Sequence, residues 1–258
     1  MIKKLRMTEV DKQIMQTFEE VISPSTIQLF ELKDDFKSLS SGVLFKASGK
    51  HWLLTASHVS KCSQEGNEIY FQYNKDEFIS ITGHFGESDL KRDNQIDFSC
   101  IALIDECVDK ILLSKVFLSV DKISYVQRQF EKQSMIVAGF PEVLNKVDPK
   151  ESIKSVGKFI LTSTTNRKPY DYYGFEPGDH VFVEAGGVRT NMKSGKKGKP
   201  FDPHGFSGGG LWQVWKEEDS FKCALVGILT EFRNSKYHIY ISIRIEHLIR
   251  LIENYKQF

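Results

Sequence analysis

A single serine, Ser207, stands among four glycines in "PHGFSGGGLW", residues 203–212. Each glycine in ordered structure costs roughly 0.5–1 kcal/mol relative to alanine, so the run implies a tight backbone shape with a purpose. It satisfies G-x-S-x-G through Gly205, Ser207 and Gly209, a spacing that can present a nucleophilic hydroxyl on a sharp turn. A glycine-rich turn with an incidental serine fits the same letters. A serine hydroxyl attacks well only when a neighbouring base takes its proton. His58, in "HWLLTASHVSK", follows the apolar run Trp52–Leu54 and the small residues Thr55, Ala56 and Ser57. Small residues at a strand end would let the imidazole reach across a crevice. Asp97, in "NQIDFSCIALI", stands just before another apolar run. It reads either as a solvated turn residue or as a buried acid aimed at an imidazole N–H.

The order along the chain is His58, Asp97, Ser207. An α/β-hydrolase elbow requires serine first, then the acid, then the histidine. Here the chain ends at Phe258, soon after Ser207, without strand–helix alternation. His238 and His247 follow the serine, but no matching architecture would position them. The order His, Asp, Ser is that of the chymotrypsin arrangement.

Short strands must position these residues. "TIQLFEL", "SGVLFKA", "HWLLTAS", "EIYFQYN", "FISITGHF" and "DFSCIALI" form a first batch of apolar or alternating runs. "SMIVAGF", "VGKFILTST", "DHVFVEA", "GGGLWQVW", "CALVGIL" and "HIYISIRI" form a second. Short strands bounded by turn residues predict an all-β barrel or sandwich. The mixed stretch from Cys107 to Gln133 is expected to cross between two halves. Met7, Val10, Ile14, Phe18 and Val21 have helical spacing, with Thr8 and Asp11 as a capping pair and Pro24 as the stop. Ile245, Leu248, Ile249 and Ile252 share one face of a closing helix. The expected division is 1–24 as a helical extension, 25–120 as the His/Asp half, and 121–258 as the Ser half with the closing helix.

Composition limits the partners. The 258 residues include 35 Lys+Arg and 34 Asp+Glu, a formal net charge of +1. No charge imbalance points to nucleic acid or to a membrane surface. The basic run "KSGKKGK" (193–199) has no interleaved aromatics, so it reads as a solvated loop rather than a nucleic-acid patch. No apolar run follows the basic N-terminus and none is long enough to span a membrane. Cys62, Cys100, Cys107 and Cys223 show neither CxxC nor Cys/His ligand spacing, so no metal or cofactor is expected. Reduced thiols and a cytoplasmic location are the expectation.

"SGVLFKASGKHWLLTASHV", "DFSCIAL", "MIVAGFP", "HGFSGGGLW" and "ALVGI", in that order, resemble the trypsin-like, chymotrypsin-fold serine proteases. "LLTASHV" is similar to that family's L-T-A-A-H, and "DFSCIAL" to its D-[IF]-A-[LV]. The resemblance implies two six-stranded antiparallel β-barrels packed together, with the active site between them. It implies a catalytic triad of His58, Asp97 and Ser207, and an oxyanion hole from the N–H groups of Gly205 and Ser207. It places the pocket floor near Phe201 or Asp202: Phe201 would suit an apolar or small P1 side chain, Asp202 a basic one. Ile228, Leu229 and Thr230 would line the pocket wall or belong to the core. Two departures matter. Val59 follows His58 where secreted relatives have a disulfide cysteine, which agrees with a reducing compartment. Phe206 precedes Ser207 where activatable trypsins have the aspartate that pairs with a new N-terminus. This version resembles bacterial intracellular peptidases found in antiviral-defence and stress systems. The implied activity is endopeptidase cleavage of a protein or peptide, with a regulatory sensor protein as a further expected partner. The alternative is a protease-fold scaffold module, inactive until a partner orders the oxyanion loop.

Overall fold

The apolar residues of the central strands alternate between two faces, and both faces are covered. In the computed structural model, which describes residues 9–32, 36–64, 66–74, 77–87, 97–127, 130–142, 157–185, 189–191, 196–198 and 204–255, this pattern builds two curled antiparallel sheets. The first holds β1 (Thr26–Leu32), β2 (Phe36–Ala47), β3 (Lys50–Thr55), β4 (Glu68–Asn74), β5 (Glu77–Ser80), β6 (Gly83–Glu87) and β7 (Ser99–Leu103). Their order is β5-β4-β1-β2-β3-β7-β6. The second holds β8 (Ser134–Gly139), β9 (Lys158–Ser163), β10 (His180–Glu184) and, after a ribbon of β11 (Arg189–Asn191) and β12 (Lys196–Gly198), β13 (Gly210–Glu217), β14 (Ser220–Asn234) and β15 (His238–Arg244). Their order is β10-β15-β14-β13-β8-β9. A bridge from Thr164 to Val183 then joins the two outer strands.

The expected pair of antiparallel barrels is present as two curled half-barrel sheets, with seven and six strands rather than six each. β5 and β6, at four and five residues, divide what the sequence presents as the single run "FISITGHF". The basic run, expected as an unstructured loop, contributes Lys196–Gly198 to the small ribbon.

Period-two alternation decides which side chains meet. Leu44, Leu53 and Ile101 fill the inside of the first sheet with Ile27, Leu29, Ile69 and Phe71. Met135, Val137, Leu211 and Val226 fill the inside of the second. Their neighbours along the strands, Phe45, Trp52 and Leu54 from one sheet and Ile136, Trp212 and Leu225 from the other, turn outward into one shared core. Ile14 and Ile22 at the N-terminal end, with Ile245, Leu248 and Ile252, close that core from its edges.

The terminal helices differ in detail from the sequence reading. The N-terminal helix runs Glu9–Thr17 and widens to a π turn over Phe18–Ile22. It continues through Ser23–Ser25, with Pro24 in the first turn of that last piece, where its missing N–H costs nothing. Val10, expected on the apolar face, is 51% exposed, and Thr8 lies outside the described residues. The closing helix is Ile245–Asn254. The crossing segment bridges Leu118 to Phe45 of the first sheet and Ile123 to Leu225 of the second.

One half-buried cation ties the N-terminal helix to that crossing. Lys115 Nζ donates to the carbonyls of Ser23 (3.1 Å) and Thr26 (2.8 Å). Burial pushes its pKa down to about 8, whereas an unfolded lysine titrates near 10.4. Between those values the unfolded chain holds the extra proton, so stability rises with pH. Lys115→Met should lose that rise. Its urea midpoint relative to wild type should decline between pH 8 and pH 10, by up to about 3 kcal/mol in ΔG. Parallel pH curves for the two proteins would overturn this assignment.

Candidate active site

Strand pairing brings the histidine and the aspartate together. β3 and β7 are neighbours, with Thr55 opposite Ser99. His58 lies just beyond β3, in the first turn of the helix Ser57–Gln64, and Asp97 just before β7. His58 Nδ1 is 3.9 Å from Asp97 Oδ2, an ion-pair contact longer than a hydrogen bond. Asp97 Oδ1 accepts the Ser57 N–H at 3.1 Å and also the Ser57 hydroxyl. Burial raises the Asp97 carboxyl pKa, while the His58 ring and the Ser57 hydroxyl and amide lower it; the net value is below the ordinary one. Asp97 is therefore a carboxylate at neutral pH, able to hold His58 in one tautomer.

Ser207 arrives from the other sheet on the turn that leads into β13. The carbonyls around it are held by hydrogen bonds. The His204 carbonyl accepts the Glu142 N–H at 2.8 Å, and the Phe206 carbonyl accepts the Gly209 N–H at 2.8 Å. The Gly205 carbonyl accepts the Ser41 hydroxyl at 2.6 Å. The Ser207 carbonyl accepts the Ser41 N–H at 2.8 Å and the Ser40 hydroxyl at 2.6 Å. Trans peptides point N–H and C=O in opposite directions. Fixing the carbonyls of His204 and Phe206 therefore directs the N–H groups of Gly205 and Ser207 the other way. Neither N–H has a partner among the described residues.

Two glycines make this turn possible. Gly205 has φ +91° and Gly208 φ +79°, in the left-handed region. A Cβ on Gly208 would lie 2.1 Å from the Ser41 carbonyl oxygen and 2.4 Å from Thr55 Oγ1. Phe206 is 2% exposed and joins the inner core of the second sheet beside Leu229 and Tyr240. An apolar anchor thus occupies the position where an aspartate would reach for a free N-terminus.

His58, Gly205, Ser207, Leu229 and Thr230 all line one cavity of about 350 Å³. The Ser207 hydroxyl donates to the Thr230 carbonyl at 3.2 Å and makes no hydrogen bond to His58. Of the residues expected at the pocket wall, Leu229 and Thr230 face the cavity. Ile228 does not: alternation along β14 turns it into the shared core, with no exposed surface. Phe201 and Asp202 lie outside the described residues. Phe206, Phe232 and Tyr240 add aromatic surface to the cavity that sequence reasoning did not assign. Ser40 and Ser41 were also missed as neighbours of the site. Their only sequence signal is two serines opening an apolar strand at a glycine.

All four cysteines are free thiols. Burial pushes Cys100 up to about 12 and Cys223 up to about 11, so neither offers a thiolate at neutral pH. Among the described residues no cluster of metal-ligating side chains is present and no helix is long and apolar enough to cross a membrane.

No protein-family model matches the sequence, and no curated protein does. Solved structures do match. The crystal structure of a scabies mite inactivated protease paralogue, S-I1, superposes with a TM-score of 0.57 at 14% identity, over 90% of this chain and 93% of that one. At that identity the likeness concerns architecture alone: the chain has the fold of the trypsin-like proteases.

Proposed function

We propose that the chain is a serine endopeptidase. The observation that carries this reading is the pair of unpartnered N–H groups, Gly205 and Ser207, in the same cavity as His58 and the Ser207 hydroxyl. Ser207 Oγ attacks the substrate carbonyl while His58 takes its proton. Asp97 stabilises the resulting imidazolium. The two N–H groups hold the oxygen on which negative charge develops, a form of stabilisation worth roughly 10²–10³ in rate per donor. His58 then gives its proton to the departing amine, and water repeats the sequence on the acyl-enzyme. Beyond Ile228, β14 has lost its β13 partner. Its free edge at Glu231 and Phe232 borders the cavity, where an extended substrate can add as a strand.

The cavity walls favour an apolar P1 side chain. Phe206, Leu229 and Tyr240 belong to the inner core of the second sheet. Two acidic residues also line the cavity: Glu231, already paired with Arg233 at 2.6 Å, and Glu142. A lysine or arginine inserted among these apolar side chains would be desolvated, with Glu231 already engaged.

Two observations favour a second reading, a scaffold module that a partner must switch on. Ser207 is bonded to Thr230 rather than to His58, and the solved structure described above is of an inactivated paralogue. Val59 and Phe206 support an intracellular version that needs no N-terminal cleavage. A cytoplasmic role under a sensor protein in bacterial defence or stress rests on the sequence resemblance alone.

Purified protein should react with a fluorophosphonate probe at Ser207, and Ser207→Ala should not. Asp97→Asn and His58→Ala should each lower kcat/KM by about 10⁴. Absence of labelling in wild type, alone and with a candidate partner, would reject the enzyme reading; labelling only with the partner would select the switched module. Among matched peptides, P1 Phe, Tyr or Leu should exceed P1 Lys or Arg by at least ~10-fold in kcat/KM. The reverse order would place an acidic group at the pocket floor.

A further inference from the structure

We propose that Ser41, assisted by Ser40, is the positioning residue that sets the oxyanion loop, so that the first sheet does the work an N-terminal ion pair does elsewhere. This rests on reading Gly205 and Ser207 as the oxyanion donors. Ser41 sits on β2, in the sheet that carries His58 and Asp97, and is fully buried. Its hydroxyl joins two groups of the opposite sheet: it accepts the Phe140 N–H at 2.9 Å and donates to the Gly205 carbonyl at 2.6 Å. Its N–H donates to the Ser207 carbonyl at 2.8 Å. Its own carbonyl accepts the Thr55 hydroxyl at 2.8 Å, which fixes the strand making these bonds. Ser40 adds a second hydroxyl to the Ser207 carbonyl at 2.6 Å.

The carbonyls held by Ser41 belong to the two residues whose N–H groups face the cavity. Fixing the Gly205 carbonyl fixes the peptide that lies between the donors, and so the angle at which they converge. The grip is also tight in space. A Cβ on Gly139 would lie 2.8 Å from Ser41 Oγ and 2.9 Å from the Phe206 ring, so the hydroxyl and the anchoring phenyl ring both pack closely against the β8 end. Phe206 cannot form a charge pair. Hydrogen bonds from β2 take that place. Because they come from the sheet that holds the base, they also fix nucleophile and base relative to each other.

Ser41→Ala leaves the Phe140 N–H and the Gly205 carbonyl without their shared partner. With a P1-apolar peptide substrate, kcat should fall ~10–100-fold while KM changes less than ~3-fold. Affinity for a peptide boronate, whose adduct places an oxygen on the two N–H groups, should fall by a similar factor. Ser40→Ala should show a smaller loss of the same kind, since the Ser41 N–H still holds Ser207. Ser25→Ala is the control: it too deletes a buried hydroxyl, bonded to the Val21 carbonyl at 2.8 Å, and should leave kcat unchanged. Hydrogen exchange over residues 204–210 is read in parallel and needs no activity; it should quicken ~10-fold in Ser41→Ala and not in Ser25→Ala. Unchanged kcat in an active enzyme, or unchanged exchange, overturns the proposal. A wild type that never labels, with faster exchange in Ser41→Ala, leaves the clamp standing and rejects the protease reading. If Ser41→Ala does not fold, Ser40→Ala carries both readouts at smaller amplitude.

Discussion

Everything in this molecule depends on strands that are apolar on both faces. A strand with one dry face can lie on the outside of a domain. Strands such as β3, β8 and β13 cannot, because alternate residues need cover on each side. Curling solves one face by making an interior for each sheet. Pressing the two curled sheets together solves the other, around Trp52 and Trp212. The crevice at the margin of that shared core is where the ends of β3 and β7 meet the turn before β13. The site is therefore a consequence of how the core is completed, and His58 and Ser207 can meet only while the sheets stay packed.

A turn that exposes two N–H groups to a cavity stands against the general rule that backbone polar groups find partners. It persists because its carbonyls are over-determined. Hydroxyls, amides and the Phe206 ring hold the loop from three directions, and glycines at 205 and 208 remove the steric objection to its shape. The two open donors are then a local deficit supported by saturated hydrogen bonding around them. A charged tether is one way to hold such a loop. Neutral hydrogen bonds in a dry junction are another: they need no free N-terminus, and burial protects them from screening by salt.

Much of the site was legible because each of its main residues interrupts an apolar run. His58 ends one, Asp97 begins one, and Ser207 stands in a glycine cluster that no strand would choose. The two-sheet architecture was legible from the spacing of the runs. Ser40 and Ser41 were not, because a serine within a strand looks the same whether it faces water or grips a loop 164 residues away. Ile228, Leu229 and Thr230 could not be sorted until the register of β14 was known, since a shift of one residue exchanges core for cavity. The strand count failed at β5 and β6, where one run breaks at Ile81 and Thr82 so that its two pieces serve opposite edges of the sheet, and edge membership leaves no mark in the sequence.

The bond from Ser207 to the Thr230 carbonyl is best understood as a resting position. A neutral hydroxyl–carbonyl hydrogen bond contributes only about 1 kcal/mol net, and moving a serine hydroxyl is a rotation about one side-chain bond. On the proposed reading, the open N–H groups of Gly205 and Ser207 and the carboxylate beside His58 do not have to be rebuilt for the serine to turn. Catalytic hydrogen bonds in unliganded sites are commonly loose and tighten when substrate enters. An extended chain added at the free edge of β14 would dry the cavity and strengthen the attraction of His58 for the serine proton. The same small energy also explains how a partner could govern the site: a shift of one or two kcal/mol in that rotation changes the reactive population about ten-fold, without any rearrangement of the fold.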